Sequence, residues 1–210
     1  MDTGPGFREE HALADGTKVT LRHIRPADAD ELRRGLERLS PESRYRRFLA
    51  PMTELSDAYV DYLTRVDGQD HVAIVGVTQL PGVPGDVGLG VARFVRVAGE
   101  PEVAEAAITV VDDAQGKGLG RLLAIALARA AHERGVRRFR GRTLADNPLA
   151  HQLLADVGAT MGQPQDGGMV FEVELAPTPF TLGSPTDVIA RRLLRAAATA
   201  LSFVGLPLGK

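Results

Sequence analysis

The tightest constraint on this chain lies in the run Val110-Val111-Asp112-Asp113-Ala114-Gln115-Gly116-Lys117-Gly118-Leu119-Gly120-Arg121-Leu122-Leu123. A β-branched stretch ends there, three glycines follow at alternate positions, and a leucine- and alanine-rich stretch of helical period begins at once. The pattern predicts a strand, a tight turn and a helix with almost no linker. Alternate glycines strip the Cβ atoms from one side of the turn, so a ligand can lie against bare backbone. The helix start adds unpaired N–H groups and the positive end of its dipole. Such a turn suits a phosphate or pyrophosphate.

A chain of 210 residues, 44% hydrophobic and 25% charged, fits one globular domain with a substantial core. A net charge of −2 gives no case for nucleic-acid binding. The absence of cysteine excludes a disulfide framework and thiolate catalysis, and removes the usual ligands of a structural zinc. Five scattered histidines give no metal signature, so no metal is expected. Residues 1–15 are acidic and lack a signal-peptide core, and no apolar run is long enough to span a membrane. The expectation is a cytoplasmic protein.

Along the chain, residues 1–16 read as a loose arm or an added edge strand, residues 17–24 as an alternating strand, and residues 27–39 as a helix. Ser40-Pro41 resembles a second helix start, and residues 56–66 form a third amphipathic stretch. Strands are expected over 71–80, 87–97, 103–111, 136–144 and 169–175, with helices over 118–134 and 147–157. Residues 176–210 hold a Pro/Gly linker and a tail helix over 187–203, with a short basic face that suits packing on its own domain, a twin subunit or a membrane surface. The fold class expected is α/β (α+β): a single domain over 17–175, with a mixed, mostly antiparallel twisted sheet flanked by helices, plus the C-terminal helical tail. The strand-to-helix crossovers imply some parallel pairing.

The segment Gln115-Gly116-Lys117-Gly118-Leu119-Gly120 resembles the Gln/Arg-x-x-Gly-x-Gly/Ala loop of the GNAT superfamily of acetyl-CoA-dependent N-acetyltransferases. Asn147, Ala150, Leu153 and Gly158 resemble that family's second segment. Residues 24–29 (Ile-Arg-Pro-Ala-Asp-Ala) and 39–48 (Leu-Ser-Pro-Glu-Ser-Arg-Tyr-Arg-Arg-Phe) are similar to the start of the GNAT domain in bacterial protein lysine acetyltransferases. The accessory domains that many of those enzymes carry do not fit in this chain.

The resemblance implies acetyl-CoA as cosubstrate. Its pantetheine arm would pair with Thr109, Val110 and Val111, and its diphosphate would sit on the N–H groups of Gln115, Gly116, Lys117, Gly118, Leu119, Gly120 and Arg121. Lys117 and Arg121 either add charge there or are simply solvated. Asn147 either contacts the pantetheine arm or caps its own helix. The acceptor is an amine, a protein lysine or a small molecule. An amine of pKa ~10.4 must lose a proton before it attacks, and a partly buried carboxylate can take it. Glu105 stands at the family's spacing for that base, in an otherwise apolar strand start, with Glu102 and Glu100 as runners-up. The tyrosine that many relatives use to protonate the thiolate is replaced here by Leu154.

Other features carry plainer readings. Arg44, Arg46 and Arg47 form either an acceptor surface or a solvated helix face, and Tyr45 and Phe48 read as core. Arg138, Arg140 and Arg142 share one strand face, either near the cofactor's 3′-phosphate or exposed, and His71, His132 and His151 read as structural. A non-catalytic acyl-CoA sensor is the competing function class, and a homodimer is compatible with the tail.

Overall fold

The computed structural model describes residues 3–48, 52–144, 159–165 and 168–175. The helix expected over 147–157, with Asn147, and the linker and tail helix of 176–210 lie outside the described residues. The strands among the described residues are β1 (Arg8–Ala12), β2 (Lys18–His23), β3 (His71–Thr78), β4 (Val87–Val97), β5 (Glu100–Val110), β6 (Arg138–Leu144), β7 (Thr160–Gln165) and β8 (Gly168–Glu174). The α-helices among the described residues are α1 (Ala29–Glu37), α2 (Pro41–Phe48), α3 (Asp57–Thr64) and α4 (Leu119–Glu133). The strands form one sheet in the order β1-β2-β3-β4-β5-β6-β8-β7. Among the described residues only the β5–β6 pair is parallel, as expected for the two strands joined through a helix. Of the two alternatives for the N-terminal segment, the edge strand holds: β1 pairs with β2, and Phe7 and Leu13 enter the core.

Helix starts follow local chemistry. The Ser43 N–H donates to Ser40 Oγ at 3.1 Å, and Pro41 opens α2. Ser56 caps α3 by accepting from the Tyr59 N–H. The first helix starts later than the sequence suggests, because Pro26–Asp28 forms a 3-10 turn whose Asp28 carboxylate is held by the Arg25 N–H at 2.8 Å. Strand β7 has no signal in the sequence. Its Thr-Met-Gly-Gln-Pro-Gln has no alternation, its register slips between Met161 and Pro164, and it lies at the sheet edge where proline is tolerated.

The two faces of the sheet carry different layers. Leu119, Leu123, Ala126, Leu127, Ala130 and Ala131 of α4 recur at helical spacing and pack on Val72, Ile74, Ala92, Phe94, Ala104 and Ala106. Truncating such a residue, Leu127→Ala for instance, costs about 2–5 kcal/mol. Two strand glycines set how closely α4 approaches. A Cβ on Gly76 would stand 2.7 Å from Leu119 Cδ1, and one on Gly90 would stand 3.1 Å from Leu123 Cδ1. The start of α4 is thereby pressed onto the sheet beside the end of β5. On the opposite face, Leu36, Leu39, Leu55, Val60 and Leu63 form a small helical cluster over Ile24, Ala73, Val75 and Val77.

Candidate functional site

Strand β5 stops at Val110, a 3-10 turn spans Asp112–Ala114, and α4 begins at Leu119. Gly116 has φ 73° and Gly118, the N-cap residue, has φ 95°, so both occupy the left-handed region that a side chain resists. Among the described residues, no acceptor takes the N–H of Gly116, Lys117 or Gly118. The first N–H groups of α4 lack intrahelical partners by geometry. A row of unspent amides therefore stands at the positive end of a 15-residue helix. Gln115 does not share in that row. Its N–H donates to the Asp112 carbonyl, and its side-chain amide donates to the Val110 carbonyl and to Asp112 Oδ1, both at 3.1 Å. It braces the turn. Lys117 Nζ pairs with Asp15 at 2.9 Å, which holds the Asp15 carboxyl well below its usual range. The Lys117 charge is thus directed to the β1–β2 loop, while its carbonyl accepts from the Ala14 N–H. Arg121 is half-buried in the first turn of α4.

Beside this turn the sheet opens. Strands β5 and β6 pair at Val103↔Arg138, Ala104↔Phe139 and Glu105↔Arg140, then continue to Val110 and Leu144 without further pairing among the described residues. The Val111 N–H donates to the Leu89 carbonyl at 3.0 Å, and Thr109 stands opposite Val91. Ladder alternation then turns the main-chain groups of Thr109 and Val111 toward β4, and those of Ile108 and Val110 toward the gap. Of the three residues expected to pair with an extended ligand, only Val110 faces the gap. Ile108 joins it, a residue that alternation along β5 could have supplied.

Three acidic residues of β5 differ sharply. Glu100 makes a double ion pair with Arg140, both contacts at 2.8 Å, and this holds its carboxyl below the usual range. Arg140 also binds Glu172 at 2.7 Å, and Arg138 binds Glu172 at 3.0 Å. These cations are paired, which corrects the reading of Arg138 and Arg140 as an open basic face. Glu102 is exposed. Glu105 is half-buried, and among the described residues it has no hydrogen bond or ion pair. Burial raises its carboxyl above the ordinary value, against the pull of Arg140 and Arg142. Its side chain shares a face of β5 with Ala107 and Thr109, and Thr109 Oγ1 is buried without a hydrogen-bond partner.

That face borders a cavity of about 90 Å³ between the sheet and the α1–α3 layer. Thr109 and Val111 line one end. Arg47, Phe48, Leu63 and Arg93 also line it. Arg47 is 8% exposed and packs on the Phe48 ring at 4.9 Å, so it is not part of a solvated face. Its neighbour Arg44 donates to the Leu39 carbonyl at 2.9 Å and serves the helix joint instead. Tyr45 is 46% exposed and lies outside the core. Arg93 is buried, donating to His71 Nε2 at 2.9 Å and to the Leu63 carbonyl at 3.1 Å. Burial, with the Arg93 charge beside it, pushes His71 down to about 4, so it is a neutral acceptor with a partner. The Tyr62 ring lies tilted against His71 with ring centroids 4.9 Å apart, and it feels both Arg93 and Glu105. The sequence signal for Arg93 was an arginine at an inward position of an apolar strand. No group of metal-ligating side chains and no membrane-spanning helix occurs among the described residues.

The family model for the Acetyltransferase (GNAT) domain matches residues 18–160. Acetyltransferase Pat of Mycolicibacterium smegmatis is 36% identical over 157 residues, covering 75% of this chain and 46% of that protein. Acetyltransferase PA5475 of Pseudomonas aeruginosa is 33% identical over 147 residues, 70% of this chain and 77% of that protein. The chain thus spans less than half the length of the first relative and about three quarters of the second. The crystal structure of the GNAT domain of S. lividans PAT superposes with a TM-score of 0.70 at 30% identity, over 82% of this chain and 99% of that one. A Salmonella typhimurium acetyltransferase solved with its cofactor acetyl-CoA shares the fold, with a TM-score of 0.56 at 20% identity over 78% and 98% of the two chains.

Proposed function

Since this chain belongs to the GNAT acetyltransferase family, we propose that it moves an acetyl group from acetyl-CoA to a primary amine of the lysine type, with Glu105 as general base. The observation that carries this is the state of Glu105: half-buried, unpaired among the described residues and raised, while Glu100 is locked in an ion pair. A surface carboxylate kept for solubility needs none of these features, and a base needs all of them.

The amides of residues 116–118 and the first turn of α4 hold the diphosphate. The pantetheine arm enters the gap between β5 and β6 and adds to the edge at Ile108 and at the Val110 N–H, the Val110 carbonyl being already engaged by Gln115. This brings the thioester past Thr109 toward Glu105. The carboxylate takes a proton from the ammonium, directly or through a water. The neutral nitrogen attacks the carbonyl carbon, a C–N bond forms and the carbonyl electrons move to oxygen. Collapse breaks the C–S bond, the thiolate of coenzyme A leaves with that electron pair, and the extra proton on the new amide nitrogen passes to the thiolate or to water. A thiolate is stable enough to leave without full protonation, so Leu154 in place of an acid is no obstacle. Protein lysine as the acceptor is supported by the likeness of residues 24–29 and 39–48 to protein acetyltransferases.

The test is incubation with labelled acetyl-CoA, a cell lysate and a panel of small amines. Label in polypeptides supports the proposal, and label in small amines alone replaces the acceptor class. Binding of acetyl-CoA without any transfer marks a sensor and overturns the proposal.

A further inference from the structure

The cavity is lined by Arg22, Arg47 and Arg93 and by three carboxylates, none of which pairs with Arg47 or Arg93. Its acidic wall residues are committed. Asp28 and Asp86 both bind Arg22, at 2.7 and 3.0 Å, and Glu31 is held by the Gly88 N–H at 2.8 Å and Arg34 at 2.7 Å. Arg47 and Arg93 line the same cavity. The partners of Arg93 are a neutral imidazole and a carbonyl. Among the described residues, Arg47 has no hydrogen bond and no carboxylate, only the face of Phe48. The two guanidiniums are close enough to repel, and both are lowered by burial, Arg93 to about 9, which leaves it charged at neutral pH. An uncompensated buried charge is costly, and a pair of like sign is more so. Such a pair persists where a ligand brings the missing anion.

We infer that Arg47 and Arg93 form an anion subsite that binds a carboxylate carried by the acceptor, a few bonds from the nitrogen that Glu105 deprotonates. This rests on the acetyl-transfer reading above. The placement is set by the sheet. Arg93 stands opposite Ala107, the next residue after Glu105 on the same face, and diagonal neighbours of this kind lie about 7–8 Å apart. Thr109, at the thioester end, lines the same cavity as both arginines. A volume of about 90 Å³ accepts several waters, hence a carboxylate on a short stem. The fork of a guanidinium matches the two oxygens of that group, and among the described residues Arg47 has its donors unspent.

The experiment uses the whole chain with acetyl-CoA and follows thiol release. Two acceptor pairs are compared: a small ω-amino acid against its amide, and a capped peptide with Lys-Glu against the same peptide with Lys-Gln. The subsite predicts that kcat/KM favours the carboxylate member of at least one pair by ~10-fold or more. The pair that discriminates identifies whether the carboxylate comes from a small molecule or a peptide. Arg47→Met should bring the two members to within about twofold of each other and raise Tm, because it removes an unpaired buried charge. Equal wild-type rates within both pairs, or a Tm lowered by Arg47→Met, overturn the subsite and leave the acetyl-transfer proposal standing. No transfer to any amine while acetyl-CoA binds overturns that proposal itself, and the subsite with it.

Discussion

Glu105→Gln separates a catalytic carboxylate from an ornamental one. The substitution keeps shape and burial and removes the ability to take a proton. A positioned general base contributes about 10²–10⁴-fold, so kcat/KM should fall by that factor, about 3–5 kcal/mol in the barrier. Affinity for acetyl-CoA, measured by calorimetry, should hold, because Glu105 lies within β5 rather than at the glycine turn. The pH profile gives a second reading of the same group. The wild type should lose activity as pH falls through the Glu105 pKa. Burial raises that pKa, so the limb sits above the ordinary glutamate value near ~4.3. The variant should lack the limb. Stability should move the other way from activity. The folded pKa lies above the unfolded one, so deprotonation costs the folded state as pH rises through that window. At neutral pH the native carboxylate is therefore a stability burden, and Glu105→Gln should raise Tm. Glu102→Gln and Glu100→Gln serve as controls with small kinetic effects. A loss below about tenfold in Glu105→Gln, or an equal loss in Glu102→Gln, refutes the assignment of the base.

Three further outcomes test the framework. Gly118→Ala meets no atom within 4 Å but forces a side chain to φ 95°, so calorimetry should show weaker acetyl-CoA binding and melting should fall by about 2–8 °C, from about 1–2 kcal/mol of strain. Gly90→Ala puts a Cβ 2.8 Å from the Thr109 carbonyl oxygen; overpacking of about 1–3 kcal/mol should appear in denaturant melts, together with a raised KM for acetyl-CoA as the end of β5 shifts. His71 is held down to about 4 in the fold against ~6.5 unfolded, so its burial stabilises above the unfolded value. That part is lost as pH falls from 6.5 toward 4, and a His71→Gln variant should show a flatter Tm over that range.

The parts of this molecule that could be read from sequence are those written in neighbouring residues. The glycine turn and α4 announce themselves because strand, turn and helix period follow without interruption. Ser40 and Ser56 announce helix starts by the same local logic. Glu105 was legible through its spacing to the turn and its apolar flanks. Lys117 was not, since its partner Asp15 lies about a hundred positions away in a hairpin loop whose path only the folded sheet defines. Strand β7 has no periodic pattern and gains its conformation from pairing with β8, so tertiary context overrides propensity there. Arg47 was legible as a residue of interest but not as a buried one, because its helix carries Arg44, Arg46 and Arg47 together and only packing shows which of them turns inward.

Strand β5 explains how one sheet can separate two binding tasks and still bring the ligands together. Its α4 face is filled by Ala104 and Ala106, small side chains that let the helix lie close and bring its amide end to the strand's end. Its opposite face carries Glu105, Ala107 and Thr109, with the arginine-lined cavity beyond. Its edge past the last pairing with β6 has no strand partner among the described residues, and on the proposed reading it offers main-chain groups to an extended ligand. Side chains alternate between faces while main-chain groups alternate between edges. One strand can therefore hold the acyl donor by its edge and address the acceptor with its side chains, and the two do not compete for the same atoms. A charge reversal at Glu105 and a glycine replacement at the turn should thus act independently on acceptor chemistry and donor affinity, with their free energies adding in the double variant.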